Sequence, residues 1–354
     1  MINEIRLIIN DHLNPHIGFA IDETIMIQVH NSLAPSTIHF WSCKPTLSIG
    51  DDSLEEEEID NLKKHGIELA RRHTFGPGFY VDENTLIFSF IINTKNFDLP
   101  KNIRETYAAI YSPIIRAVRS YGIPCMYEDP FYLVEDGKIV SQATQFWYYD
   151  VLVFQGVVYL DTNFTVPNRL NLLPRMITSI KNRYKESLSK EEFIKNICIK
   201  IINDFKVKLV EGDLTPQEKE FLKTVLETKY TTEKWVLYGI PPLAYDKLLI
   251  ELLLDNPPTE TCSEIEENVK KAIEQSGEEQ KIELRIWRKG EARPPGTTVS
   301  KGLIEAGKNS LIPAIIINGT LKFTRTSPSQ EKILESIKEE MNKIKKHQGQ
   351  QQNS

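Results

Sequence analysis

The alternation of apolar and polar residues predicts a mixture of strands and helices over most of the chain. Residues 85–93 place Leu86, Phe88 and Phe90 on one face, which is the period of a strand. Further strands are expected where aromatic and β-branched residues cluster, at 67–72, 131–134, 139–149 and 151–160.

Helices are predicted between and after these strands. Residues 53–66 are a helix candidate because they end at Gly66, where a helix stops, and residues 100–121 repeat apolar positions at helical spacing. Two further helices begin at Ser189, a favourable N-cap, and at Thr215, which is followed by proline at the first helical position. Clustered strands between helices favour an α/β (α+β) fold, a mixed sheet with helices packed on one side.

The chain changes character at residues 255–261, where DNPPTET follows an apolar run. Adjacent prolines among polar residues predict a linker. The expected organisation is a large catalytic-type domain at residues 1–184, a helical appendage at 185–254, the linker at 255–261, a small domain at 262–345 and a disordered tail at 346–354.

The small domain is expected to end in a hairpin followed by a helix. Asn318-Gly319 is a strong hairpin signal, and Pro313 stands at the start of the preceding strand. This ββα ending is similar to that of thioredoxin-like domains, in which the corresponding proline is cis. Because no cysteine lies between Trp287 and Ile312, where a redox pair is expected, the domain lacks CxxC. Docking or oligomer contact is the expected role.

Composition narrows the class of protein. The hydrophobic fraction of 40% and the charged fraction of 26% are typical of globular chains. Four widely spaced cysteines without a CxxC pair argue against a metal site and a disulfide framework, and they favour a reducing cytoplasm. A net charge of −6 provides no drive toward nucleic acid, and no apolar run approaches the ~18 residues of a membrane span.

The segment RRHTFGPGFYVD, residues 71–82, is the strongest candidate for chemistry. The guanidinium groups of Arg71 and Arg72 can recognise carboxylate or phosphate as planar forks. Gly76 and Gly78 allow the backbone to approach a ligand closely. Taken alone, such an arginine pair is more often a surface ion-pair site. The surrounding motifs therefore decide whether the pair is interpreted as a ligand-binding site.

Seven segments in order resemble lipoate-protein ligases of the biotin/lipoyl protein ligase family. RRHTFGPGFYVD resembles RRxSGGGAVYHD, and DGKIVSQA at residues 136–143 is similar to DGRKISGNA. The other matches are Trp41 with PTLSIG, Glu58-Ile59-Asp60, FSFI, FQGVVYLD and YTTEKWVLYG. One motif alone is weak, but seven in the family's order are specific. The resemblance covers residues 14–239 and implies a biotin/lipoyl ligase-type mixed sheet.

The resemblance also implies a chemistry. An acyl carboxylate attacks ATP, and a carrier lysine then takes the acyl group from the acyl-adenylate. Gapless alignment places Lys138 on the family's catalytic lysine, where an ammonium group can stabilise developing negative charge. Without that register, a lysine beside a tight turn is ordinarily a hairpin residue. Arg71 and Arg72 are implied to hold the acyl carboxylate or a phosphate, and Asp82 to position the nucleotide or Lys138.

The departures from the family's motifs concern the pocket. Where the family has GGGA, this chain has FGPG, so that Phe75 adds a ring and Pro77 lacks an N–H for a phosphate. Ser141 replaces a glycine and Gln155 replaces a histidine. The acyl-pocket candidates are Phe75, Tyr80, Gln155 and Gly156.

The implied function is ATP-dependent attachment of lipoate or octanoate to a lysine of a lipoyl carrier domain. ATP with Mg²⁺ is a cosubstrate, and no permanently bound cofactor is expected. The expected acceptors are the acyltransferase subunit of 2-oxoacid dehydrogenase complexes or the glycine-cleavage H protein. Two alternatives stay open: an octanoyl or lipoyl transferase that uses a preactivated donor, and a non-catalytic paralogue that binds a lipoylated carrier. The sequence does not choose the acyl group, the carrier or the oligomeric state.

Overall fold

The computed structural model describes residues 3–50, 54–97, 99–100, 102–128, 132–172, 176–184, 188–239, 248–291 and 300–351. The chain divides into two compact units, residues 1–231 and residues 232–354. Within the described ranges, no helix is both long and apolar enough to cross a membrane. All four cysteines are free thiols.

The first unit alternates strands and helices. Its strands are β1 (Glu4–Leu13), β2 (Thr37–Cys43), β3 (Thr46–Ile49), β4 (Glu68–Arg71), β5 (Phe79–Val81), β6 (Thr85–Asn93), β7 (Met126–Glu128), β8 (Tyr132–Glu135), β9 (Lys138–Tyr148), β10 (Val151–Tyr159) and β11 (Lys208–Glu211). Its helices are α1 (Pro15–His30), α2 (Glu56–Lys64), α3 (Ile103–Arg119), α4 (Thr165–Arg169), α5 (Lys190–Phe205) and α6 (Pro216–Val225), and α6 continues into a π-helical turn, Leu226–Tyr230. The predicted caps are confirmed: Ser189 caps α5, and Thr215 forms a capping box with Glu218 at α6.

These strands form a mixed eight-stranded sheet in the order β11-β1-β2-β6-β10-β9-β8-β7, and a separate sheet in the order β4-β3-β5. β1 is parallel to β11 and to β2, whereas the ladders from β2 to β7 are antiparallel. The predicted mixed α/β fold is therefore confirmed.

Helices cover both faces of the large sheet, so the prediction of helices on one side is wrong. Leu7 and Phe90 pack in a core with α3 and α5, whereas their chain neighbours Ile8 and Ile91 pack in a second core with α1. Successive residues of a strand point to opposite faces. Strands that are apolar on both faces, such as β6 and β10, need a cover on each side.

The second unit contains α7 (Glu233–Tyr238), β12 (Leu248–Leu254), α8 (Glu260–Ser276), β13 (Ile282–Arg288), α9 (Lys301–Lys308), β14 (Ala314–Ile317), β15 (Thr320–Thr324) and α10 (Gln330–Gln351). Its sheet has the order β13-β12-β14-β15, with β12 parallel to β13 and the other ladders antiparallel. The hairpin at Asn318-Gly319 is confirmed, and the Ile312–Pro313 bond is cis. Cys262, the only cysteine after residue 231, is buried in α8, so this unit has no cysteine pair.

The predicted segment boundaries are wrong in three places. The strand Leu248–Leu254, assigned to the appendage, lies at the centre of the second sheet between β13 and β14, so residues 255–261 join β12 to α8 and are no interdomain linker. The supposed appendage also contributes β11 and α5 to the first unit. The supposed tail is helical as far as Gln351, and residues 352–354 lie outside the described residues.

Candidate functional site

Lys138 is the first residue of β9 and follows a tight turn. Asp136 and Gly137 have φ values of 49° and 71°, the left-handed pair that closes a two-residue hairpin. Arg183 braces this turn, because its guanidinium lies 2.6 Å from Glu135 Oε2 and 2.9 Å from Asp136 Oδ2. The lysine therefore stands on a well-supported backbone.

Among the described residues, the ammonium group of Lys138 has no polar partner. Its side chain is half-buried, and no described residue forms a hydrogen bond or ion pair with it. On the other side of β9, the Ile139 N–H donates to the Met176 carbonyl at 3.0 Å, and Ile139 forms a parallel bridge with Ile177. This arrangement is compatible with the predicted catalytic role, which stays a prediction.

Met176 is a neighbour of Lys138 that sequence reasoning missed. The parallel bridge brings it opposite Lys138 on the adjacent segment, and directly opposed residues share a face. Its side chain is 68% exposed. No local sequence pattern predicts this proximity, because it depends on the backbone pairing of Ile139 with residues 176–177.

The structure gives Arg72 a loop-holding role in place of the predicted ligand-binding role. The residue is 1% exposed, and its guanidinium stacks over the Phe79 ring at 4.0 Å. Its N–H groups donate to Thr74 Oγ1 at 3.1 Å and to the carbonyls of Ser48, Phe75, Gly76 and Pro77 at 2.8, 3.1, 3.0 and 2.7 Å. A fork used in this way is not available to a carboxylate or a phosphate.

The rest of the loop is held just as closely. Arg71 is buried and donates to the Gly50 carbonyl. A Cβ on Gly50 would lie 2.7 Å from the Gly76 carbonyl oxygen, so only glycine allows the loop to approach β3. Gly76 has a φ of 97°, which favours glycine, and Gly78 is half-buried before β5.

The Asp82 carboxylate is held by hydrogen bonds from two segments, one between β5 and β6 and one after β10. Its carboxylate accepts from the Asn84 N–H and Thr85 hydroxyl, both at 3.0 Å, and from the Asn163 N–H at 2.8 Å. Burial raises the pKa of Asp82, although these hydrogen bonds act in the opposite direction. Nearby, burial raises the pKa of Tyr80, whose ring packs 6.3 Å from Phe164.

Gln155 belongs to a buried polar network beneath the loop. It accepts from Thr74 Oγ1 at 3.0 Å and donates to Asp22 Oδ2 at 2.5 Å. Asp22 also binds His39 Nδ1 at 2.8 Å and Ser89 Oγ at 2.6 Å. The predicted acyl-pocket residue thus anchors the loop to β10 and α1.

Two other acyl-pocket candidates are packing residues. A Cβ on Gly156 would lie 2.5 Å from the Gln142 carbonyl and 2.6 Å from the Phe88 ring, so the space at this glycine is filled by protein. Phe75 packs edge-on against Phe146 at 5.7 Å. Among the described residues, no group of three or more His, Cys, Asp or Glu could hold a metal ion.

The mixed sheet with helices on both faces, and a lysine presented at the head of β9, define an α/β protein of the biotin/lipoyl ligase class. The model of the family described as "Lipoyl protein ligase A/B catalytic domain" matches residues 14–202, more than half of the chain. The chain belongs to this family. Members are lipoate or octanoyl ligases and transferases, and the chain is an enzyme of this kind.

Two similar proteins are named octanoyltransferases. An octanoyltransferase LipM from Brevibacillus brevis is 24% identical over 272 residues, covering 66% of this chain and 98% of the relative. An octanoyltransferase LipM from Halalkalibacterium halodurans is 25% identical, covering 65% and 97%. The shares of this chain that are covered, 66% and 65%, are close to the share that the first unit makes up.

Solved structures share the fold. A bipartite lipoate-protein ligase, described with its E2 lipoyl domain, from Thermoplasma acidophilum has a TM-score of 0.57 at 17% identity, covering 67% of this chain and 97% of that one. Lipoate-protein ligase A bound with ATP has a TM-score of 0.55 at 17% identity, covering 67% and 99%.

Proposed function

We propose that this enzyme transfers an octanoyl group from a preactivated thioester donor to a lysine of a lipoyl carrier domain. The relatives named octanoyltransferase support this choice over ATP-dependent ligation. The donor class is an acyl-carrier thioester, and the acceptor class is a lipoyl domain. A cytoplasmic location, expected from the spacing of the cysteines, is part of the proposal.

One observation carries the preference for a preactivated donor: both arginines of the loop are used by the protein. Arg72 binds three consecutive loop carbonyls, and Arg71 binds the Gly50 carbonyl. Pro77 also removes one of the N–H groups that a phosphate cradle would use. A donor that is already activated needs no triphosphate held in this loop.

The transfer itself needs little beyond positioning and one cation. The amine of the acceptor lysine attacks the octanoyl carbonyl, the C–N bond forms, the C–S bond breaks, and the amine proton ends on the released thiol. Negative charge develops on the carbonyl oxygen, and the Lys138 ammonium can donate to it. The hairpin that carries Lys138 is braced by Arg183, so little reorganisation is needed.

A covalent relay through a cysteine is a variant of this route. Cys125 directly precedes β7, which joins the strand of Lys138 through β8. Burial raises the pKa of the Cys125 thiol to about 11, so this route requires the thiol to become exposed when the donor binds. Intact-mass analysis of the enzyme after mixing with donor, with Cys125→Ser as control, reports an acyl-enzyme directly.

The second candidate is ATP-dependent ligation, favoured by the likeness to a solved ligase bound with ATP. Two reactions on an apo lipoyl domain separate the candidates: octanoyl-carrier protein without ATP, and lipoate with ATP and Mg²⁺. We expect acyl transfer only in the first reaction, detected by the mass of the acceptor. Transfer only in the second would overturn the proposal in favour of a ligase, and transfer in neither would refute both.

We further propose that the second unit is a thioredoxin-like module that serves docking. Its strand order and its ββα ending support this assignment. Because the unit contains a single cysteine, contact with the carrier or with a second copy is the role that its chemistry suits. Carrier affinity of the full chain and of a chain ending at Thr231 tests this role.

A further inference from the structure

A buried cluster of charged groups lies at the foot of the candidate loop. Lys229, in the π-helical turn after α6, is 3% exposed at its side chain, and its Nζ lies 2.6 Å from Glu23 Oε2 in α1. The same ammonium group lies 2.9 Å from His73 Nδ1. The Tyr230 hydroxyl donates to Glu23 Oε2 at 2.7 Å. His73 directly follows Arg72, so the cluster touches the loop itself.

The charges in this cluster depend on one another. Burial alone would raise the pKa of Glu23, but Lys229 and His73 outweigh it and hold the pKa of this carboxyl well below its usual range. Burial lowers the pKa of Lys229, and the Glu23 carboxylate opposes that shift. Removing one partner would leave an uncompensated buried charge.

His73 joins the cluster through one ring nitrogen. Its Nδ1 lies 2.9 Å from Lys229 Nζ and 3.3 Å from Glu23 Oε2. Burial, and then the charge of Lys229, lower the pKa of His73 below its ordinary value of 6.5, whereas Glu23 acts in the opposite direction. The ring is fixed further by an edge-on contact with Phe146 at 4.4 Å.

We propose that Lys229 is a positioning residue for the candidate site: together with Glu23 it holds His73, and through it residues 73–78, in the conformation that receives the acyl donor. Arg72, directly after β4, and Gln155, in β10, hold the same loop. π-Helical turns are frequent at functional sites, and here the turn brings Lys229 and Tyr230 onto one carboxylate. The acyl donor in this inference rests on the proposed function, whereas the loop contacts do not.

A matched pair of double variants tests this role. Lys229→Met with Glu23→Gln removes both charges without leaving one unpaired. Arg6→Met with Glu218→Gln does the same to another buried pair of the first unit, at 2.6 Å, between β1 and α6. We expect similar losses of melting temperature in both. Only the first should speed amide hydrogen exchange at residues 74–78, on the order of tenfold or more.

Kinetics and spectroscopy complete the test. The first double variant should lower kcat for octanoyl transfer on the order of tenfold to a hundredfold, because a small displacement of a positioned group is costly. Lys229→Arg should retain most of the wild-type activity, and Lys229→Gln with Glu23→Gln replaces the first double variant if that chain fails to fold. The ¹⁵N signals of His73 should show a ring that titrates below pH 6.5 in wild type and nearer to that value in Lys229→Met.

The outcomes separate this inference from the proposed function. Exchange at residues 74–78 and kcat that match those of the Arg6/Glu218 control would overturn the positioning role. A His73 ring that titrates at the same pH in wild type and in Lys229→Met would overturn it as well, because Lys229 lowers the pKa of this ring. If wild type transfers no octanoyl group, the exchange and ¹⁵N measurements still decide the role of Lys229.

Discussion

Replacing Lys138 by methionine removes one ammonium group and leaves the surrounding fold nearly unchanged. The side chain is half-buried and has no hydrogen bond to a described residue, so the free energy of unfolding should change by no more than about 0.5 kcal/mol. If the ammonium group stabilises the developing oxyanion, its loss should cost about 3–4 kcal/mol in the transition state, or roughly 10²–10³-fold in kcat. The prediction is therefore a large kinetic effect with a small thermodynamic one.

Octanoyl transfer to an apo lipoyl domain, followed by intact mass, measures the kinetic part, and urea unfolding measures the stability. Lys181→Met is the matched control, because Lys181 is an exposed lysine of the same unit that pairs with Asp161. The control should retain wild-type kcat. Turnover of Lys138→Met within twofold of wild type would refute the catalytic assignment, and a large loss of stability would refute the claim that Lys138 has no polar partner among the described residues.

Three further predictions address the loop, the unit boundary and pH. Arg72→Lys keeps the charge but loses the fork that binds the loop carbonyls, so we expect a loss of at least ~3 kcal/mol in urea unfolding; unchanged stability would contradict the loop-holding role. A chain ending at Thr231 should unfold cooperatively. A chain ending at Asp255 carries β12 without its partner strands β13 and β14 and should self-associate in ultracentrifugation. Equal behaviour of the two chains would count against a unit boundary after Thr231. Burial raises the pKa of Asp150, but hydrogen bonds from groups such as Lys95 outweigh burial and lower this pKa to about 2. The contribution of the Asp150 carboxylate to stability is therefore present above pH 3.8 and is lost as pH falls through about 2. Asp150→Asn should destabilise the protein at pH 6 and not at pH 2.

The sequence by itself determined the family and the presentation of Lys138. Both depend on short segments, because a left-handed Asp136-Gly137 turn and a hairpin at Asn318-Gly319 are backbone preferences of adjacent residues. The strand β6, with Leu86, Phe88 and Phe90 in one core, and the caps of α5 and α6 are likewise local, and the structure confirms them. Ordered motifs carried the family assignment, which the match to residues 14–202 confirms.

Only the tertiary structure decided what the arginines of the loop do. A guanidinium group can bind a ligand or backbone carbonyls equally well, and the choice for Arg72 depends on where Ser48 and residues 75–77 are brought by the fold. The same holds for the supposed linker. Two prolines after an apolar run look alike whether the run ends a domain or, as with Leu248–Leu254, forms the centre of one.

The cluster of Glu23, His73 and Lys229 is the clearest example of a feature that the sequence does not predict. Lys229 and Glu23 are 206 residues apart in the chain, and neither stands in a recognisable motif. Buried ion pairs form where packing excludes water and brings opposite charges together, and that condition belongs to the assembled core. Local sequence therefore specifies turns, caps and motifs, whereas the environment of a buried charge exists only once the elements have packed.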